Sequence, residues 1–192
     1  PTISALNFYT DFSNPTKTHY SWNRSLPNSQ LMFTSGDLAV YFGFASELQL
    51  LKIKNPNLNF DVAAMPQSRS GHTKITFGVM QGLAITKNTR NAAASFAVIS
   101  GLSTPEALTV FAQTQGLPPV RRDLISRGNA NPNQALFYQS ALISRAWYDP
   151  NRVTTNGIFR NAVESITGGR ARPSESVQRM QQEFYQLLQG AN

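Results

Sequence analysis

The sequence predicts an α/β chain, mostly helical with a few strands, and three observations carry that expectation. Segments with apolar residues at i, i+3 and i+4 recur from ISALNFYTDFSN at the start to RPSESVQRMQQEFYQLLQ near the end. Between them stands a long β-favouring run, ITFGVMQGLAIT (75–86), interrupted by two glycines. The helical segments also start and stop on helix-boundary residues, such as Ser103 or Thr104 as cap, with Pro105 and Glu106, at one entrance and Gly116 at its exit.

In order, Ile3, Leu6, Phe8 or Tyr9, and Phe12 share one side of a helix over 3–14. Asn14-Pro15 ends it, because the residue before proline avoids the helical region. A short helix over 26–33 opens near Pro27, and Ser35-Gly36-Asp37 turns the chain. Leu38 to Phe42 reads as a short strand, Phe44 to Lys54 as a helix with Leu48 and Leu51 on one side, and NPN (55–57) as its stop. LNFDVAAMP (58–66) alternates and then becomes apolar on both sides, as a strand entering a sheet interior does.

QSRSGHTK (67–74) is a loop by composition, and it leads into the β-favouring run. Asn88 is the expected cap of the helix in NTRNAAASFAVISG, with Gly101 as its left-handed stop. The helix STPEALTVFAQTQG follows in tandem. After GLPPVRRDL come helices over 131–144 and 154–169, the second closing on paired glycines. In the last helix Val177, Met180, Phe184 and Leu187 form a narrow apolar stripe, which requires a partner surface.

Composition narrows the function classes. The 192 residues are 41% hydrophobic, enough for a core, and contain no cysteine, which excludes disulfides, thiolate catalysis and Cys-bound zinc. No run approaches the ~18 to 20 apolar residues of a membrane helix. PTISALNFYT lacks the basic and apolar regions of a signal peptide, so a targeting segment is expected elsewhere in a longer chain. The net charge of +7 is spread singly apart from Arg121-Arg122 and, further on, Arg170 and Arg172, the pattern of a solvated surface.

Catalytic motifs are missing: the sequence has no phosphate loop, no GxSxG elbow and no HExxH. His19 and His72 stand alone in polar loops, and no pair of carboxylates sits in an apolar setting. No catalytic residue, metal or cofactor is therefore expected. What remains is aromatic: Trp22 in HYSWN, and Trp147 with Tyr148 in RAWYDPN, both tryptophans flanked by hydrogen-bonding residues. Such rings either stack on a polar ligand or pin their loops to the core.

Four blocks in this order resemble a known family: ALNFYTDF with HYSWN, FTSGDLAVYFGFASEL with NPNLNFDVAAMP, TFGVMQGLAIT with NAAASFAVISG and STPEALTVFAQ, and GLPPVRRDL. Together they resemble the C-terminal half of family 1 extracellular solute-binding proteins, the maltose-binding-protein-like class that serves ABC importers. The resemblance covers nearly all of the chain. It implies a two-lobed periplasmic-binding-protein fold of type II-like architecture, present here as its helix-rich C-terminal half. Residues 1–65 and 126–192 would belong to one lobe and 66–125 to the other.

The resemblance further implies non-catalytic capture of a small solute, a sugar or oligosaccharide, with hinge closure and delivery to an ABC permease. It places the protein outside the cytoplasm, periplasmic or lipid-anchored at the outer face of the membrane, and makes an N-terminal half of the same protein a partner. Trp22, Trp147 and Tyr148 are then the stacking candidates, Asn23 and Tyr41 the hydrogen-bonding side chains, and the backbone at Gly43 and Phe44 a donor site. Gly43 would admit backbone N–H groups to a ligand; otherwise it serves a tight turn. Arg121 and Arg122 are expected to be structural.

Two rivals remain. A cationic module binding nucleic acid or another acidic surface would gather the basic residues on one face. An enzyme on the same scaffold would bring carboxylates or a histidine into the cleft.

Overall fold

A computed structural model describes residues 1–67, 71, 73–147 and 149–190. The elements are α1 (Thr2–Asp11), α2 (Ser29–Ser35), a 3-10 turn (Ala45–Glu47) running into α3 (Leu48–Lys54), β1 (Thr76–Phe77), α4 (Ala92–Leu102), α5 (Pro105–Gln115), α6 (Arg122–Ile125), α7 (Pro132–Leu142), β2 (Ser144–Arg145), α8 (Arg152–Thr167) and α9 (Pro173–Gln189). They fall into two compact units, Pro1–Pro27 with Trp147–Asn192, and Asn28–Ala146.

In the first unit α1, α8 and α9 pack on one another. The α9 stripe finds its surface: Met180 is buried with Ile158 and Ala162 of α8, while Leu6, Phe184 and Leu187 close around them. Asn151 caps α8 by accepting the Thr154 N–H at 3.1 Å. The buried Thr155 hydroxyl donates to Asp149 at 2.7 Å, so the turn before α8 is fixed from inside the helix. The loop after α1 is tied to α8 by an ion pair, Arg24 to Glu164 at 3.1 Å.

The second unit is built from shorter pieces. Asn28 caps α2 through the Gln30 N–H, and Asn55, just past α3, donates its amide to the Thr34 carbonyl at 2.8 Å, locking the end of α3 to α2. Leu51, Ala112, Leu124 and Ile125 are its buried apolar side chains among the described residues. Strands β1 and β2 pair in parallel with Thr76 opposite Ser144. Gly78 follows directly, and a Cβ there would lie 2.6 Å from the Ser144 Cβ, so only glycine lets the two backbones approach this closely.

Several expectations are corrected. Of the three predicted strands only Thr76–Phe77 joins a ladder among the described residues; 38–42, 58–66 and the rest of 75–86 run without one. A strand exists only as a pair, and a β-favouring sequence cannot supply its own neighbour. The helix over 92–102 is capped by Asn91, which accepts the Ala94 N–H, and not by Asn88; it runs through Gly101 to Leu102 and ends at Ser103. The first helix stops at Asp11, three residues before the predicted end. The Thr104 cap and the left-handed Gly116 stand as read from the sequence.

The chain exposes 14715 Å². A compact monomer of 21.2 kDa would expose about 9,000 Å², and even two separate domains of half that mass about 11,000 Å². Large apolar side chains are among the exposed residues: Phe42, Met80, Phe96, Phe111 and Tyr185 are each more than 60% exposed. Individually such residues are ordinary; their number here is what calls for an explanation.

Because Ile158 is 5% exposed at the centre of the first unit's core, Ile158→Ala should destabilise that unit by about 2–5 kcal/mol. Urea denaturation followed by far-ultraviolet circular dichroism checks it. A change below about 1 kcal/mol would mean that the α8–α9 contact is not the core it is drawn to be.

Candidate functional site

Tyr41, Gly43 and Phe44 come together in the second unit, and the residue that joins them is Glu47. Its Oε1 accepts the Tyr41 hydroxyl at 2.9 Å and its Oε2 accepts the Phe44 N–H at 2.6 Å. A Cβ on Gly43 would sit 2.6 Å from the Tyr41 ring and 2.7 Å from the Glu47 carboxylate. The glycine therefore makes room for this bridge. Phe33 stacks on Tyr41 at 5.5 Å and meets Phe60 edge-on at 5.3 Å, fixing the tyrosine ring from the other side.

The chemistry of Tyr41 follows from these neighbours. Loss of solvent around the phenol raises its pKa above 10.0, and the Glu47 carboxylate, as hydrogen-bond acceptor and as like charge to the phenolate, raises it further, with a small opposing contribution from Gln30. Phe44 itself is half-exposed and lies 6.0 Å from the Phe77 ring. Its N–H, expected to face a ligand, is engaged by Glu47.

Trp22, Asn23 and Trp147 belong to the first unit. The Trp22 and Ser21 N–H groups both donate to the Phe12 carbonyl, which anchors the loop by backbone and leaves the indole 43% exposed. Asn23 spends its side chain locally: Oδ1 accepts the Ser25 N–H at 2.8 Å, and Nδ2 donates to the Tyr20 hydroxyl at 3.1 Å. Trp147 meets Phe184 of α9 edge-on at 5.7 Å and still exposes 46% of its surface. Both indoles are therefore about half exposed, Trp22 on a loop anchored by its backbone and Trp147 against Phe184. Tyr148 lies outside the described residues, as does His72.

His19 packs its ring against Phe12 at 5.1 Å, and among the described residues no group of His, Asp or Glu is arranged to hold a metal ion. Arg121 makes a two-point pair with Asp123, Nε to Oδ1 at 3.0 Å and Nη2 to Oδ2 at 3.1 Å, which holds that carboxyl below its usual value. A shallow groove runs between residues 84–89 and α4, lined by Ile85, Thr86, Thr89 and Ser95, and none of the sequence-predicted site residues lines it.

The residue that sequence reasoning missed is Glu47. Its signal was present: an acidic side chain three positions after the residue that precedes a helical turn is the spacing at which it reaches back to that residue's N–H.

Since the folded pKa of Tyr41 is raised, the stability carried by its neutral phenol is fully present below about pH 10 and is lost as the pH rises through the folded value. Glu47→Gln should move the Tyr41 titration down toward its ordinary range. Gly43→Ala, by forcing the ring and carboxylate apart, should do the same and cost about 1–3 kcal/mol. Phenolate absorbance measured against a Tyr41→Phe control reads both. An unmoved Tyr41 titration in the two variants would show that the bridge does not form.

A family described as bacterial extracellular solute-binding protein matches residues 2–137, a span that includes Trp22, Asn23, Tyr41, Gly43 and Phe44 and stops before Trp147. No curated protein and no solved structure matches the chain. The family implies the periplasmic-binding fold, a location outside the cytoplasm, and solute binding for ABC import; its members are generally not enzymes. The match takes in well over half of the 192 residues and contains the Glu47-bridged turn, and on that ground the chain belongs to the bacterial extracellular solute-binding protein family.

Proposed function

We propose that the solute is a sugar or oligosaccharide, captured by hinge closure of two lobes and handed to the permease of an ABC importer. The observation that carries this reading is the pair of half-exposed loop tryptophans, Trp22 and Trp147, each flanked by hydrogen-bonding residues. An open indole face beside amides and hydroxyls suits a ligand with apolar ring faces and polar edges. Tyr148 belongs with them as a third stacking ring. Asn23, Tyr41 and the turn at Gly43 and Phe44 supply polar contacts, with Glu47 adding acceptor capacity.

The uncovered apolar surface supports a second part of the reading. A larger protein, in which an N-terminal half packs against these residues, would bury Phe42, Met80, Phe96 and Phe111 as a finished monomer must. Such a protein is anchored by lipid or free on the outer side of the membrane.

The test is a thermal-shift screen of the full-length protein against neutral sugars, polyols and anions. One sugar class should raise the melting temperature as mass action requires, by about 2.7 kcal/mol of stability at one hundred times Kd. Trp22→Ala and Trp147→Ala should each weaken that ligand about five- to tenfold, the worth of one aromatic stack. A protein that ignores every sugar and instead binds heparin with an affinity collapsing in salt would replace this reading with the cationic module.

A further inference from the structure

The entry into β1 is held by a side chain doing the work of a backbone. The Gln67 Oε1 accepts the Ile75 N–H at 2.9 Å, and its Nε2 donates to the Ile75 carbonyl at 3.0 Å and to the Met65 carbonyl at 2.9 Å. This two-way exchange with one residue is what a hydrogen-bonded neighbour in an antiparallel ladder makes with its opposite number. The side on which it occurs is significant. Thr76 and Gly78 donate their N–H groups to the Ile143 and Arg145 carbonyls of the β2 segment, so the alternate residues Ile75 and Phe77 turn their polar groups to the other edge.

From this geometry we propose that the Gln67 carboxamide stands in for a strand neighbour at the edge of β1 that faces away from β2. It pins the chain where it enters the strand and occupies the first pairing position of that edge. An unpaired edge offers a row of donors and acceptors to any extended chain, and natural sheets blunt such edges with local devices. Here the device is one amide. The first position, Ile75, is saturated in both directions, and Gln67 is itself fixed by the Met65 carbonyl on its own segment, so it acts as a positioning residue. The requirement is chemical: acceptor and donor must be carried by the same short planar group, which among side chains of this length only glutamine supplies.

Amide hydrogen exchange of the full chain, read at Ile75, tests this. Gln67→Ala should lower the Ile75 protection factor about tenfold, the worth of roughly 1.4 kcal/mol, while amides of α3 and α8 keep theirs. Gln67→Glu keeps the acceptor and sets a carboxylate against two carbonyls. Its charged form is disfavoured in the fold, so its pKa is raised; Ile75 protection should be weak at neutral pH and return as the pH falls toward about 4. Wild-type protection factors should show no such return. The proposal is overturned if Ile75 keeps its protection in Gln67→Ala, if protection is lost equally across α3 and α8, or if Gln67→Glu shows no recovery with acid.

Discussion

Apolar surface must find apolar surface, and the rest of this structure depends on where that condition is met. In the first unit it is met within the chain. The α9 stripe needs a partner because its opposite face is polar, and α8 and α1 supply Ile158, Ala162 and Leu6 at matching heights. At about 25 cal/mol per Å² each such side chain contributes on the order of 2 kcal/mol, enough to outweigh the ordering of a helix that would be marginal alone. In the second unit the condition is met only in part: Leu51, Ala112, Leu124 and Ile125 are buried, Phe33 and Phe60 half-buried, and many others, such as Phe42, Met80, Phe96 and Phe111, stay exposed.

That contrast explains which elements could be read from the sequence. A helix closes its own hydrogen bonds, so spacing, caps and breakers suffice, and α1, α5, α7, α8 and α9 all lie where periodicity and punctuation put them. Boundaries shift by two or three residues where a helix end frays, as at Asp11 and Ser29, and where two caps compete. Asn91 displaces Asn88 because it stands immediately before the alanine run, and Gly101 stays helical because the following helix begins only at Pro105, behind the Thr104 cap. Strands are different. LNFDVAAMP has the pattern of a strand entering a sheet, yet among the described residues it joins no ladder, because pairing depends on residues the pattern does not contain.

The site divides along the same line. Trp22 and Trp147 were legible as rings set among polar residues, and the structure leaves each half-open. The partner of Gly43 was not legible as such. A glycine between Tyr41 and Phe44 announces a close approach without saying to what, and the answer lies in Glu47, a residue that composition marks only as one carboxylate among few. Gln67 was less visible still, since its partner Ile75 lies eight residues away across a polar loop and no helical or strand period connects them.

The polar groups that a ligand would use are, in this conformation, already paired. Asn23 serves Ser25 and Tyr20, the Tyr41 hydroxyl serves Glu47, and so does the Phe44 N–H. A ligand at these groups must therefore exchange partners, and its affinity is the difference between what it makes and what it displaces. Where such a group is open to water the exchange is nearly neutral, because a hydrogen bond given up there is worth about 1 kcal/mol net; at the half-buried Asn23 and Tyr41 the existing partners cost more to displace. The indole faces carry no such competitor. Under the proposed function, covering the Trp22 and Trp147 indoles supplies the binding energy within the first unit, while Asn23, satisfied before and after, selects a ligand that leaves no donor or acceptor unpaired.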